Sequence, residues 1–229
     1  MLAEIGLQNI AFAFLGSILP ALLWLFFWLK KDTHPEPKKM IALSFIAGML
    51  SVIVVIPIQL GYKGILGGAT LVVFWAGTEE VLKYLAAWFF GLRTKYLDEP
   101  IDALIYLITA ALGFVAMENT LFLLDPLSKH DIIQTIITGN VRFFGTTLVH
   151  ILASAIIGTA IAYSMRKPYF LKVVNIFLGL VLATALHSLF NLFIMDGSPV
   201  VIVLIFIAIW IALFGLLYLF KKIKRLKQV

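Results

Sequence analysis

Residues 71–90 read LVVFWAGTEEVLKYLAAWFF, an apolar run of membrane-spanning length that is interrupted by Glu79, Glu80 and Lys83. About 20 helical residues cross the hydrocarbon core of a bilayer. An ionised carboxylate at that depth costs at least about 2.5–3.5 kcal/mol, so such residues are rare and mark functional sites. The run therefore predicts a transmembrane helix that carries a polar site.

The composition of the chain is that of a membrane protein. Of its 229 residues, 62% are hydrophobic and 13% are charged, which excludes an ordinary soluble domain. The net charge of +6 lies in short basic clusters at the ends of apolar runs. This distribution is typical of membrane orientation and argues against a nucleic-acid partner. The absence of cysteine excludes disulfides, thiol catalysis and Cys-ligated metals.

Seven apolar stretches predict an all-α fold, a bundle of about seven transmembrane helices that forms a single integral-membrane domain over residues 1–229. The predicted spans are residues 8–29, 40–60, 67–90, 101–124, 143–164, 172–195 and 199–220. The first run lacks a basic n-region and is too long for a signal peptide, so we expect it to be retained. Residues 126–142 are mixed in character and predict an interfacial helix or loop.

Basic residues predict the orientation of the bundle in the bilayer. Fourteen of them fall on one side, namely Lys30, Lys31, Lys38, Lys39, Arg93, Lys95, Arg166, Lys167, Lys172, Lys221, Lys222, Lys224, Arg225 and Lys227. The other side has three, Lys63, Lys129 and Arg142. Positively charged loops stay in the cytoplasm. We therefore expect the N-terminus outside and the C-terminus in the cytoplasm, in a multi-pass protein of a prokaryotic inner membrane.

Three further predicted spans carry ionisable residues, which are Glu118, His150 and His187. Counted from the outer end of each span, these residues lie about six to eight positions deep, and Glu79 and Glu80 about twelve. Spans that run in alternating directions need not agree in depth. Their agreement therefore predicts that the five residues meet in one site in the outer half of the bilayer.

Helical spacing places Lys83 between Glu79 and Glu80 on the surface of its helix, within reach of either carboxylate. A structural ion pair between Glu79 and Lys83 is one interpretation of this spacing. The functional interpretation gives one carboxylate to Lys83 and leaves the other for catalysis. We favour Glu79 as the partner of Lys83 and Glu80 as the catalytic base.

Each of the other ionisable residues has a neighbour that could orient it or shape its pocket. The pairs are Glu118 with Phe114 and Asn119, His150 with Ser154, and His187 with Asn191. Taken singly, each of these groups could be a structural hydrogen-bonding residue between helices. Their common depth favours a shared functional site.

The chemistry of this residue set fits amide hydrolysis in two ways. A desolvated glutamate can act as a general base while a histidine stabilises the oxyanion or protonates the leaving amine. Alternatively, Glu118, His150 and His187 can ligate a catalytic zinc ion. The sequence lacks HExxH and GxSxG motifs. Whether the cofactor is zinc or none stays open at this point.

Two other classes of function use similar residues. Intramembrane Glu, His and Lys form proton relays in proton- or ion-coupled transporters. Transporters usually contain internal repeats with broken helices, and no internal repeat is visible in this sequence. A catalytically inactive scaffold that binds single-span helices is the third possibility.

Four short motifs on successive predicted helices resemble the PrsW family of intramembrane proteases. They are EEVLK (79–83), FVAME (114–118) followed by Asn119, HILAS (150–154) and HSLFN (187–191), with DEPIDALIY (98–106) before the second motif. The resemblance covers roughly residues 75–195 and implies a protease-like core over about residues 67–195. It implies that Glu79 or Glu80 is the catalytic glutamate. It also implies that Glu118, His150 and His187 line the site and that Asn191 supports the oxyanion.

The resemblance also implies a class of substrate. PrsW-like proteases are associated with cleaving membrane-anchored anti-sigma factors on the outer side, which releases a stress response. The wider group, which includes CAAX prenyl endopeptidases and bacteriocin-processing proteins, carries EExxxR and FxxxH where this chain has EExxK and FxxxE. The expected partners are therefore a membrane-anchored protein substrate and the lipid bilayer.

Overall fold

A computed structural model describes residues 6–196 and 198–226, and the regular elements in these ranges are all helical. The helices are α1 (Leu7–Leu29), α2 (Lys38–Tyr62), α3 (Gly68–Ala87), α4 (Pro100–Ser128), α5 (Ile132–Val141), α6 (Thr147–Ala162), α7 (Tyr169–Asp196) and α8 (Pro199–Ile223). Two π-helical turns interrupt them, Trp88–Leu92 after α3 and Arg142–Thr146 between α5 and α6. The predicted all-α fold is confirmed.

Six helical segments in the described ranges are long and apolar enough to cross a membrane. They are α1, α2, α4, α7, α8 and the continuous segment Ile132–Ala162 that joins α5 to α6. The remaining predicted span, residues 67–90, corresponds to α3, which is too polar to qualify alone because Glu79, Glu80 and Lys83 interrupt it. A multi-pass membrane protein is therefore confirmed, while the orientation of the termini stays a prediction.

Helix α4 is the central element of the bundle. In its most apolar stretch 94% of the residues are buried, compared with 22% in α1 and 17% in α8. A helix that is apolar on all sides is stable when other helices surround it. The sequence DALIYLITAALGFVA (102–116) has this character. The outer helices α1 and α8 instead present apolar side chains to the surface, as lipid-facing helices do.

Glycines bring α2 and α4 into close contact. A Cβ atom added to Gly48 would lie 2.0 Å from the Ala110 carbonyl oxygen, and one added to Gly113 would lie 1.9 Å from the Phe45 carbonyl oxygen. Small residues are the usual device for close helix packing in lipid. This crossing brings the second half of α2 close to Glu118 of α4 and Glu79 of α3, where the polar residues gather.

The segment predicted as an interfacial helix or loop contains the end of α4, a short turn and α5. Asp131 caps α5 by accepting a hydrogen bond from the Gln134 backbone N–H (2.9 Å). No residue of α5 is buried. The predicted span 143–164 was too short at its start, because the helix continues back through the π turn to Ile132. The polar residues Gln134, Thr135, Thr138 and Asn140 lower the hydropathy of α5, so the predicted span began after it.

The loop between α1 and α2 is tied to the start of α4. Tyr106 Oη donates a hydrogen bond to the Glu36 carboxylate, and burial raises the pKa of Glu36 above its usual range. Asp102 accepts a hydrogen bond from the Glu99 backbone N–H (2.6 Å). Glu99 and Asp102 form a capping box at the start of α4.

Candidate active site

The five ionisable residues expected to converge lie in one polar cluster between α3, α4, α6 and α7. Glu79, Glu80, His150 and His187 are buried, and the Glu118 side chain is 17% exposed. Hydrogen bonds and ion pairs connect them across the four helices. The prediction that these residues meet is confirmed, whereas their catalytic roles stay a proposal.

Lys83 and Glu80 form the centre of the cluster. Lys83 Nζ donates to Glu80 Oε1 at 2.5 Å, and both side chains are 0% exposed. Lys83 Nζ also lies 2.7 Å from His150 Nδ1. The expectation that Glu79 is the partner of Lys83 was wrong. Glu79 turns instead toward α2, where Gln59 Nε2 donates to Glu79 Oε1 at 2.9 Å.

The hydrogen bonds of His187 fix which of its ring nitrogens carries a proton. Nδ1 lies 2.8 Å from Glu80 Oε1, and a carboxylate can only accept, so Nδ1 is the protonated nitrogen. The lone pair of neutral His187 is then on Nε2, which lies 3.7 Å from Glu79 Oε2. A histidine oriented by a carboxylate in this way is typical of metal ligands and of catalytic bases.

His150 has the opposite arrangement. Its Nδ1 faces the Lys83 ammonium, which can only donate, so the proton of neutral His150 is on Nε2. Nε2 lies 3.3 Å from Glu118 Oε2, and the ring packs at 5.6 Å from the Phe114 ring. Ser154, which was expected to orient His150, is buried, and its Oγ has no hydrogen-bond partner in the described residues. Lys83 and Glu118 orient the ring instead.

Arg142 belongs to the site although the sequence analysis counted it as a loop residue. Its Nη2 donates to Glu118 Oε2 (2.5 Å) and its Nε donates to Asn119 Oδ1 (2.5 Å). The guanidinium carbon also lies 3.7 Å from the centroid of the Phe122 ring. The sequence offers one signal for this role, because Arg142 precedes His150 by about two helical turns on a continuous helix. Asn119 is confirmed as a neighbour of Glu118 and lies in the same network.

Gln59 is the second residue that sequence reasoning missed. It donates to Glu79 from the end of α2, and its backbone carbonyl accepts a hydrogen bond from Trp75 Nε1 at 3.3 Å. A polar residue near the end of an apolar span is common at a membrane surface. The sequence alone therefore gave no reason to assign Gln59 to the site.

A cavity of about 370 Å³ lies next to this cluster. It is found near the end of the bundle at which α2, α4 and α7 end, which we call the distal end. Its polar lining residues are Gln59, Glu79, Glu118, Arg142, Thr146, His187 and Asn191, and its apolar walls include Val52, Phe114, Trp75, Phe122 and Ile194. Asn191 thus lines the cavity together with His187, as the spacing of the two residues predicted.

The charges of the cluster do not balance. Two of its three carboxylates are neutralised, Glu80 by Lys83 and Glu118 by Arg142. The third, Glu79, has no cation partner among the described residues, and its Oε2 has no hydrogen bond there. A buried charge without a partner is costly. The site is therefore suited to hold one more positive charge at Glu79, which can be a proton or a metal ion.

Comparisons with known proteins identify the family. A family model described as "PrsW family intramembrane metalloprotease" matches residues 36–217. The chain belongs to the PrsW family of intramembrane proteases. No solved structure matches the chain.

Three curated relatives are each named protease PrsW. The one from Geobacillus kaustophilus is 32% identical over 103 residues, which cover 43% of this chain and 46% of the relative. The one from Bacillus subtilis is 26% identical over 174 residues, or 72% of this chain and 74% of the relative. The one from Halalkalibacterium halodurans is 25% identical over 190 residues, or 77% and 80%. These matches confirm the expected class of enzyme and favour it over a transporter.

The PrsW family is described as a family of metalloproteases, so a metal ion is expected to bind among these residues. Glu79, His150 and His187 each offer a ligand atom, and these atoms lie within 4.8 Å of one another. Two histidines and a glutamate are a common ligand set for catalytic zinc. Glu79 Oε2 and His150 Nε2 are also buried without hydrogen bonds in the described part of the chain. The residues fit a metal ion, with Glu79 in place of the expected ligand Glu118, which Arg142 holds. A metal ion bound to His150 Nε2 would displace the proton of that nitrogen. The ring would then be protonated on Nδ1 and donate to Lys83, which would be a neutral amine.

Proposed function

We propose that this PrsW-family protein is an intramembrane endopeptidase that cleaves membrane-anchored proteins, and that Glu79 is the group that activates the attacking water. The observation that carries the proposal is the isolation of Glu79. Of the three site carboxylates it has no cation partner among the described residues, and it lines the cavity opposite the His187 lone pair. Glu80, which the sequence favoured as the base, is fully buried and paired with Lys83.

The geometry supports a sequence of proton transfers centred on Glu79. A water molecule between Glu79 Oε2 and His187 Nε2 can donate to both atoms, since each presents a lone pair. As the water oxygen bonds to the scissile carbonyl carbon, Glu79 takes one water proton. When the C–N bond breaks, Glu79 returns this proton to the leaving amine. We assign support of the oxyanion to the Asn191 amide, because Asn191 lines the same cavity.

Zinc is the candidate cofactor of this site. Glu79, His150 and His187 are the residues that would hold it. Bound there, the ion would supply an activated water and a Lewis acid. In that case Glu79 acts as a ligand, and Glu80 keeps the His187 lone pair directed at the site through its hydrogen bond to Nδ1.

We further propose that cleavage takes place within or near the outer half of the bilayer of a prokaryotic cell membrane. The support is the position of the cavity near the distal end, which carries few basic loop residues. The resemblance to PrsW-like proteases points to a membrane-anchored anti-sigma factor as the substrate. The bilayer is the second partner, and no feature of the described residues calls for a nucleic acid.

The proposal is tested with purified protein in liposomes together with a panel of single-span reporter proteins. We expect wild-type cleavage of at least one reporter and a loss of about 100-fold or more in Glu79→Gln, because general-base catalysis contributes at least that factor. Asp125→Asn is the matched control, because it also neutralises a carboxylate near the distal end. Asp125 lies at the surface, so this variant should retain activity. Wild-type activity in Glu79→Gln would overturn the assignment of the base.

A further inference from the structure

We propose that Arg142 is a substrate-binding residue, whose guanidinium binds main-chain carbonyl oxygens of the unwound substrate segment beside the scissile bond. The proposal rests on the endopeptidase function proposed above. It assigns a binding role to a side chain that lies outside the motifs shared with the PrsW family.

The Arg142 side chain is held in one position. Glu118 and Asn119, which are adjacent residues of α4, accept hydrogen bonds from its Nη2 and Nε. The Phe122 ring covers one face of the guanidinium at 3.7 Å. The backbone is fixed as well, because Thr147 Oγ1 donates to the Arg142 carbonyl at 2.9 Å. A side chain held by three neighbours on a fixed backbone loses little further entropy when it binds a ligand.

The contacts leave most of the donors of Arg142 unused. A guanidinium carries five N–H groups in a planar fork. Two of them are used on Glu118 and Asn119, and the described part of the chain provides no partner for the other three. Arg142 lines the cavity that also contains Glu79 and His187, and its side chain is only 12% exposed. The unused donors are therefore available to a molecule in the cavity.

The charge of the site favours a neutral acceptor over an anion. Glu118 already neutralises Arg142, and Glu79 adds a carboxylate without a cation partner to the same cavity. A second anion would leave another uncompensated negative charge in a buried place, which is unfavourable. A peptide carbonyl accepts a hydrogen bond from a cationic donor strongly and adds no net charge.

Cleavage within a membrane creates the need for such donors. The amides of a transmembrane helix are bonded within the helix, so the segment around the scissile bond must unwind before water can attack. Each carbonyl freed in this way must find a donor, because the hydrocarbon region provides none. One of the two N–H groups of the Gln59 amide is used on Glu79. Among the described residues of the cavity wall, Arg142 is the cationic side chain with unused N–H groups, and it has three of them.

The test measures binding, so it does not require catalysis. The probe is a synthetic fluorescent single-span peptide of about 25 residues with a Leu/Ala core and a central Gly–Gly pair. Its affinity for Glu79→Gln protein is compared with that for Glu79→Gln/Arg142→Gln protein in nanodiscs of neutral phosphatidylcholine. We expect the Arg142 change to weaken binding by about 10- to 100-fold, because it leaves one or two buried carbonyls without a donor. Lys129→Gln, an exposed change at the distal end, should not alter binding.

A second series of peptides distinguishes direct contact from a structural role. Each has one central amide replaced by an ester, whose carbonyl is a weaker acceptor. One of these ester peptides should bind Glu79→Gln protein more weakly than the all-amide peptide does. The same ester and all-amide peptides should bind Glu79→Gln/Arg142→Gln protein equally, because the donor for that carbonyl is already gone. The variant Glu79→Gln/Glu118→Gln should retain this ester penalty, because it keeps Arg142. Anionic phosphatidylglycerol should not compete with the peptide.

Three outcomes would overturn the proposal. The first is equal ester penalties with and without Arg142, and the second is the absence of measurable peptide binding. The third is competition by phosphatidylglycerol that depends on Arg142, which would assign the guanidinium to a lipid phosphate. Failure of the proposed function is seen separately, as the absence of reporter cleavage by the wild-type protein.

Discussion

Lys83 forms an ion pair with only one of two adjacent glutamates, Glu80. The nominal helix angle allows it to reach Glu79 or Glu80, so the sequence alone could not settle the choice. The structure settles it through residues far away in the chain. Gln59 of α2 draws Glu79 outward, and His187 of α7 binds the same Glu80 oxygen as Lys83 does. Because these contacts are non-local, the sequence predicted the members of the site but not their pairing.

The metal content of the purified protein tests the ligand set. We expect zinc in the wild-type protein and its loss in Glu79→Ala, His150→Ala and His187→Ala, since these residues bring their ligand atoms within 4.8 Å of one another. Glu118→Ala should retain the metal, because Glu118 is engaged by Arg142. Elemental analysis of each variant is the measurement. Metal-free wild-type protein with activity that survives a strong chelator would exclude the zinc site and leave Glu79 as a general base.

The helices were predictable within a few residues at most of their ends because hydropathy alone defines a span of about 20 residues. The connection between α5 and α6 was not predictable in this way. Its π turn adds a residue to one turn of a continuous helix and begins at Arg142, which donates to Glu118. π turns have no reliable sequence signature and are frequent at functional sites. This connection therefore carries Arg142, one of the two site residues that the sequence did not predict.

The crossing of α2 and α4 makes a prediction about stability. Gly48→Ala and Gly113→Ala should each destabilise the protein by about 1–3 kcal/mol or more, because the added methyl group meets a backbone carbonyl that cannot move independently of its helix. Gly215→Ala in α8 is the matched control. Nothing lies within 4 Å of its added Cβ, so the better helix propensity of alanine should leave stability unchanged or slightly higher.

Thermal unfolding in detergent measures all three glycine variants under the same conditions. Equal melting temperatures for Gly48→Ala, Gly113→Ala and wild type would show that the two helices can separate without loss. The crossing would then not fix the position of α2, and the hydrogen bond from Gln59 to Glu79 would need another explanation. Destabilisation of the Gly215→Ala control would show instead that the assay responds to any change in a helix.

The bundle as a whole combines two patterns that the sequence carried independently. One is the common depth of ionisable residues on four spans. The contacts of Lys83 with His150, of His187 with Glu80 and of His150 with Glu118 confirm that these residues meet. The other is the unequal distribution of basic residues in the loops. Arg142 lies in the site and not in a loop, so the distal end retains Lys63 and Lys129 as its basic loop residues. This increases the predicted asymmetry between the two ends, from which we expect the cavity to face the outside.

Because the chain contains no cysteine, a single introduced thiol reports the orientation directly. Ser128→Cys lies exposed at the distal end, and Thr33→Cys lies exposed in the loop between α1 and α2 at the opposite end. A membrane-impermeant maleimide added to intact spheroplasts should label Ser128→Cys, whereas Thr33→Cys should require lysis, because the strongly basic loops remain in the cytoplasm. Both positions are exposed and lie outside the site. The reverse labelling pattern would place the cavity toward the cytoplasm, and the substrate would then be cut from that side.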